Sequence, residues 1–443
     1  MPGETPNMKR AICHPMALCV TWLLIVGCQP SLETVDQKNE KTSTAASETQ
    51  TPADDPQIVA VLDNRDANLV LNATGNIQSV TLQSDPSDAD LANLHQLAAL
   101  KTLILFGRGI TDQGLVSIGK IASLQTLRME KTEHTDEGLA HLKKLPRLQT
   151  ISLSLTNISD DGLKHLVEIP TLERIVLLRT KVTDAGMQIL KTANKRIALL
   201  DLRDTLVSDA GLAHIGEMKN LKTLKFSTAR VGDNGIAHLE GLTRLKSLAL
   251  DGSDLSDEGM KSIGKITSLE ELTLSGCFVT DEGIHSITGL TKLKKLRLRG
   301  TIVTDAGMEQ IKSFTELRVL DLSETAIGDR GAVHLAALTK LESLNLWFTL
   351  ITDKGVAHVS GLTNLTWLNL DKTRITDGSI AHLQPLKKLE FLHLGSNRLT
   401  DAALDGIGKL TQIQDLHLTF CQGISPKGRE RLQADLPDTN IRF

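Results

Sequence analysis

From Leu100 onward the chain repeats one phrase of apolar and polar residues every 24 positions, with a single 25-residue unit. Each unit opens L-x-x-L-x-L, as in Leu293-Lys-Lys-Leu296-Arg-Leu298, turns, and reaches Val303-Thr304-Asp305-Ala306-Gly307 before an apolar helical stretch. Apolar side chains at the fourth and sixth positions, with a polar-tolerant position between them, predict a short strand with one buried face. The Thr/Ser-Asp-x-Gly run and the apolar residues after it predict a helix start. One such unit cannot bury its own apolar face, so stability must come from stacking neighbours. The expected architecture is therefore a single α/β solenoid, with a curved parallel sheet on the concave face and helices on the convex face. A weaker copy of the phrase begins at Ile77.

The flanks divide the chain further. Met8-Lys9-Arg10 is a short positive region, residues 11–27 are mostly apolar, and Ile25-Val26-Gly27-Cys28 closes the segment. This predicts a secretory signal over residues 1–27, with Met8 as an alternative start to Met1. Residues 28–56 are rich in Ser, Thr, Glu, Gln, Asp and Lys and predict a solvated tether. Residues 57–99 are expected to form an N-terminal cap with a first degenerate repeat, built from a helix and paired strands. The regular units occupy 100–435, and 436–443 close the other end.

Several residue types keep time with the repeat. The aspartates, among them Asp112, Asp281 and Asp401, follow Thr or Ser at the helix start and are expected to cap exposed helix amides. Glycines two residues later, such as Gly186, Gly259 and Gly355, are expected to permit close backbone approach. Thr132, Thr156, Thr301 and their equivalents share a turn position with Cys277 and Cys421, where a hydroxyl ladder bonding turn backbone groups is expected. The two cysteines lie six repeats apart, beyond disulfide reach, and read as small buried hydrophobes.

The repeat resembles the leucine-rich-repeat family, close to its cysteine-containing and ribonuclease-inhibitor-like subclasses, and is similar to repeat lipoproteins of planctomycete-type bacteria. The resemblance implies a binding scaffold. The end of the signal resembles the bacterial lipoprotein box, which implies cleavage before Cys28 and lipid attachment to it. An ordinary signal peptide or an uncleaved anchor fits the same residues.

Composition narrows the function. Lys plus Arg number 49 against 53 Asp plus Glu, which provides no basic field for nucleic acid. No nucleophile with a placed base, phosphate loop or spaced metal-ligand set stands out, so neither an enzyme nor a cofactor is expected. His334, His358 and His382 share one helical site, which duplication alone explains better than metal binding.

Aromatic residues are only 2% of the chain and tyrosine is absent. Yet Trp347, Trp367 and Phe391 fall at sheet-surface positions of three successive units, beside Asn369, Asp371, His393 and His417. Exposed rings rimmed by polar groups mark binding anchors, and these residues form the expected site. Rings that merely cover one another and the sheet would look the same in sequence. Elsewhere on that surface Asp201 with Lys225, and Arg297 with Asp321, are expected to pair across strands. The leading expectation is a non-catalytic module that binds a protein or peptide and is lipid-anchored to a bacterial membrane, facing the periplasm or the exterior. Binding of glycan or envelope polymer, a structural spacer, and a ubiquitin-ligase-like adaptor are the alternatives.

Overall fold

The computed structural model describes residues 53–193 and 195–443. The expected signal, Cys28 and most of the tether lie outside the described residues. The first element is the helix Pro56–Asp63, whose Asp55 side chain accepts the Gln57 amide. It is followed by the strands Asn68–Leu71 and Ile77–Leu82, which pair antiparallel. From Ile77–Leu82 onward every further pairing is parallel and joins consecutive units, so that all the strands belong to one 17-stranded sheet. From Ile77–Leu82 to Asp415–His417, each strand is followed by a helix or 3-10 turn. The resulting architecture is an α/β solenoid.

The register explains the sequence phrase. Leu272, Leu296, Leu320, Leu344, Leu368, Leu392 and Leu416 are aligned across neighbouring strands and fully buried. With the following leucines and the helix residues they form one continuous apolar core from Ile58 to Leu436. Burying each Leu or Ile contributes roughly 1.5–3 kcal/mol, and no unit reaches that burial alone. Side chains at the third, fifth and seventh positions point to the opposite, open face.

The aspartates do not cap the helices that they themselves begin. The cap itself is the preceding Thr or Ser: Thr304 is extended, and its hydroxyl accepts the Ala306 amide at 3.3 Å. The aspartate of one unit instead binds the cap residue of the next. Asp281 Oδ1 accepts the Thr304 amide at 2.8 Å, and Asp281 Oδ2 accepts the Thr304 hydroxyl at 2.6 Å. The same pair of bonds joins Asp88 to Thr111, Asp160 to Thr183 and Asp401 to Ser425. The repeat glycine is required by the same contact. A Cβ on Gly355 would stand 2.6 Å from Asp329 Oδ1, the atom that accepts the Gly355 amide at 3.0 Å.

The threonine ladder forms as expected: Thr301 donates to the Leu298 carbonyl at 2.7 Å, and Thr349 to Leu346 at 2.7 Å. Thr132 differs, pairing with His134 Nδ1 at 2.9 Å. Cys277 and Cys421 are buried free thiols that reach back one unit, with the Cys277 thiol donating to the Leu250 carbonyl at 3.1 Å. Burial pushes the Cys277 thiol up to about 12, so it stays protonated and is a poor nucleophile.

The expected cross-strand pairs are replaced by others. Register does set Asp201 beside Lys225 and Arg297 beside Asp321. Asp201, however, binds Arg203, two residues on in its own unit, which holds both its carboxylate oxygens at 2.9 and 2.6 Å. Residues two apart on a strand share a face, and a planar guanidinium grips a carboxylate better than a lysine does. Asp321 accepts instead from the Ser323 hydroxyl at 2.6 Å, while Arg299 pairs with Glu324.

Candidate binding face

The strands Trp367–Asn369, Phe391–His393 and Asp415–His417 bring most of the expected site together. Trp367 and Phe391 occupy the third position of adjacent units and are in direct register. Their rings stack, with centroids 5.0 Å apart and planes within 5° of parallel. His417 meets the edge of Phe391 at 5.1 Å and of His393 at 4.8 Å. These four rings form one continuous, half-buried strip. Such contacts contribute about 0.5–1.5 kcal/mol each beyond the area they bury.

Trp347 stands apart from that strip. It lies at the seventh position, in the column of Asp371 and Gly395, and its ring partner is Phe348 at 6.2 Å. Arg299, from two strands earlier, lays its guanidinium over the indole at 5.1 Å while it pairs with Glu324. Phe348 and Phe420 sit in left-handed turns, φ 54° and 60°, at the margin of the face. Lys372 covers the Phe348 ring at 4.2 Å.

The polar members are ordered by their own strands. The Asn345 side-chain oxygen accepts the Trp347 amide at 3.1 Å, and that of Asn369 accepts the Asp371 amide at 2.9 Å. Asp371 Oδ1 and His393 Nε2 are both buried without a hydrogen-bond partner and lie 3.9 Å apart, too far to bond directly. Gly395 makes room for this arrangement, since a Cβ there would stand 2.9 Å from His393 Nε2 and 2.7 Å from the Thr419 hydroxyl.

Burial lowers the proton affinity of His393, with His417 adding to the effect and Asp371 opposing it. Burial also lowers that of His417, where Arg442 adds and Asp415 and Asp371 oppose. Both imidazoles therefore stay neutral to lower pH than a free histidine. Unpartnered buried polar atoms beside exposed ring edges suit recognition of a ligand that carries both apolar and hydrogen-bonding groups.

His334, His358 and His382 are half-buried on the helical side. Among the described residues no group of three or more His, Cys, Asp or Glu side chains converges on a point that could hold a metal ion. Two residues that shape the face escaped the sequence reading, Ser343 and Gly395. Their signal was present as small residues in the same columns as the rings.

The repeats and the fold have counterparts among known proteins. A leucine-rich-repeat family model matches residues 339–399, which span Trp347, Trp367 and Phe391, and a second matches 242–264, 265–287 and 315–336. No curated protein matches the chain. Among solved structures, a leucine-rich-repeat protein of Leptospira interrogans aligns with 22% identity and a TM-score of 0.54, over 89% of this chain and 100% of its own. An internalin of Listeria monocytogenes aligns with 21% identity and a TM-score of 0.53, over 76% of this chain and 92% of its own.

Proposed function

We propose, for a chain that belongs to the leucine-rich-repeat family, that it is a non-catalytic module which captures a protein or peptide on the open sheet face of its C-terminal units and is held at the cell envelope through Cys28. The observation that carries the reading is the strip of Trp367, Phe391, His393 and His417, set beside Asp371 Oδ1, which has no hydrogen-bond partner. Stacked parallel strands present side chains at regular spacing over a long surface, which suits an extended partner and needs no deep pocket. Rings at the centre of such a surface act as anchors, and the polar groups around them set orientation. Asn345, Asn369 and Asp371 along the same face give the glycan reading its own support, because sugar hydroxyls both donate and accept.

The test is a crosslinking capture from native envelopes with the wild-type chain and the Trp367→Ala/Phe391→Ala variant, analysed for proteins and for glycans. Loss of a specific protein partner in the variant, with the fold kept, is the expected result. A fall in melting temperature with unchanged capture would reduce the strip to packing. A partner that is a glycan replaces the leading reading with the second.

A further inference from the structure

The ring strip is a ladder with a rung missing. Trp367 and Phe391 stack at 5.0 Å, which matches the spacing of about 4.8 Å between neighbouring strands, so each ring stands over its own strand. Phe391 covers one face of the indole. On the other side, register sets Ser343 directly beside Trp367 and Val319 beyond Ser343. Serine carries only a hydroxymethyl group. In this third-position column nothing larger than the Ser343 side chain therefore stands between Trp367 and Val319, two strand spacings or about 10 Å apart. That span admits one ring at the same spacing of about 5 Å that separates Trp367 from Phe391.

The neighbouring column supplies donors. Asn345 and Asn369 are in register with each other, and each has committed its side-chain oxygen to the amide two residues along its strand. Each Nδ2 group is left to donate to an incoming acceptor.

We infer that the gap over Ser343 receives a planar aromatic side chain of a peptide partner, stacked on the open face of Trp367, while a carbonyl of that partner accepts from Asn345 or Asn369. The inference rests on the reading of this face as a partner-binding surface. A flat ring fits the rung spacing that the sheet imposes, and Val319 offers an apolar second wall.

The full chain, labelled with fluorotryptophan and with resonances assigned from single Trp→Phe variants, is titrated with N-acetyl-tyrosinamide and separately with methyl glucopyranoside. The expected result is a saturable shift of the Trp367 fluorine resonance with the tyrosinamide and none with the glucoside. Ser343→Phe fills the gap from within the chain and weakens tyrosinamide binding by about tenfold or more, with the melting temperature unchanged or raised. No saturable shift with the tyrosinamide, a shift with the glucoside alone, or an undiminished response in Ser343→Phe overturns the inference. If it fails while Trp367→Ala/Phe391→Ala still abolishes partner capture, the surface stands and only the anchor's chemistry falls. Unchanged capture in that double variant removes the surface and the inference together.

Discussion

His134 occupies the place where other units carry Ile110, Ile158 or Val182, and only 1% of it is exposed. Its Nδ1 meets the Thr132 hydroxyl, while its Nε2 is buried without a partner. Burial pushes its proton affinity down from 6.5 to about 4, with Asp112 and Asp136 opposing. Unfolded, the same imidazole takes up a proton at about pH 6.5. Above that pH the group has no effect on the balance. As pH falls from about 6.5 to 4 the unfolded chain binds the extra proton, and the fold loses on the order of 3 kcal/mol at this one site. His134→Val is expected to flatten that part of the pH-stability curve, as followed by thermal melts at steps between pH 7 and 4. A variant curve that parallels the wild type would show the acid sensitivity to lie elsewhere. The same polar-for-aliphatic substitution was visible in the sequence, but its burial depends on neighbouring units that a single repeat does not display.

Between elements, the aspartate contact is the join that repeats most regularly. Where the cap residue is Gly328, only its amide binds the preceding carboxylate, at 2.6 Å to Asp305 Oδ1, and Asp305 receives no hydroxyl. A Cβ on Gly328 would meet nothing closer than 3.7 Å, whereas one on Gly232 would come within 3.0 Å of the Asp254 carbonyl. Gly328→Ser should therefore restore both the cap and the missing bond and stabilise the fold by about 0.5–1 kcal/mol. Gly232→Ser should gain less. Calorimetry of the two variants gives the comparison, and an equal or reversed order would count against the account. The strand phrase, the core leucines and the threonine ladder were legible because each is satisfied within one unit or by its exact counterpart in the next. The role of the aspartates was not, because the partner of Asp281 lies 23 residues away, while the sequence displays only the helix that Asp281 itself begins. The candidate site was legible as a cluster of rings. Its division into the Trp367 strip and the Arg299-covered Trp347 depends on which column each ring occupies.

For the molecule as a whole, one core runs unbroken from Ile58 to Leu436, so each unit's stability depends on its neighbours. Attachment at Cys28 is proposed from sequence and has its own check. Cys28→Ser should move the protein from the membrane pellet to the soluble fraction on cell fractionation, since several acyl chains are needed for stable anchoring. Retention in the pellet would point to an uncleaved apolar segment instead. The aspartate relay begins at Asp88 and ends at Ser425, where the helix Pro426–Asp435 opens Pro-Lys and carries no aspartate at the relay position. Between those ends, each carboxylate meets an equivalent partner in whichever unit follows it. A gene can therefore gain or lose a whole repeat without stranding a charge at either new junction, while a partial repeat leaves one unpaired. Selection can thus set the length of the protein in steps of one unit, and copies added ahead of residue 339 would lengthen the scaffold while leaving the ring-bearing strands and their closing cap as they are.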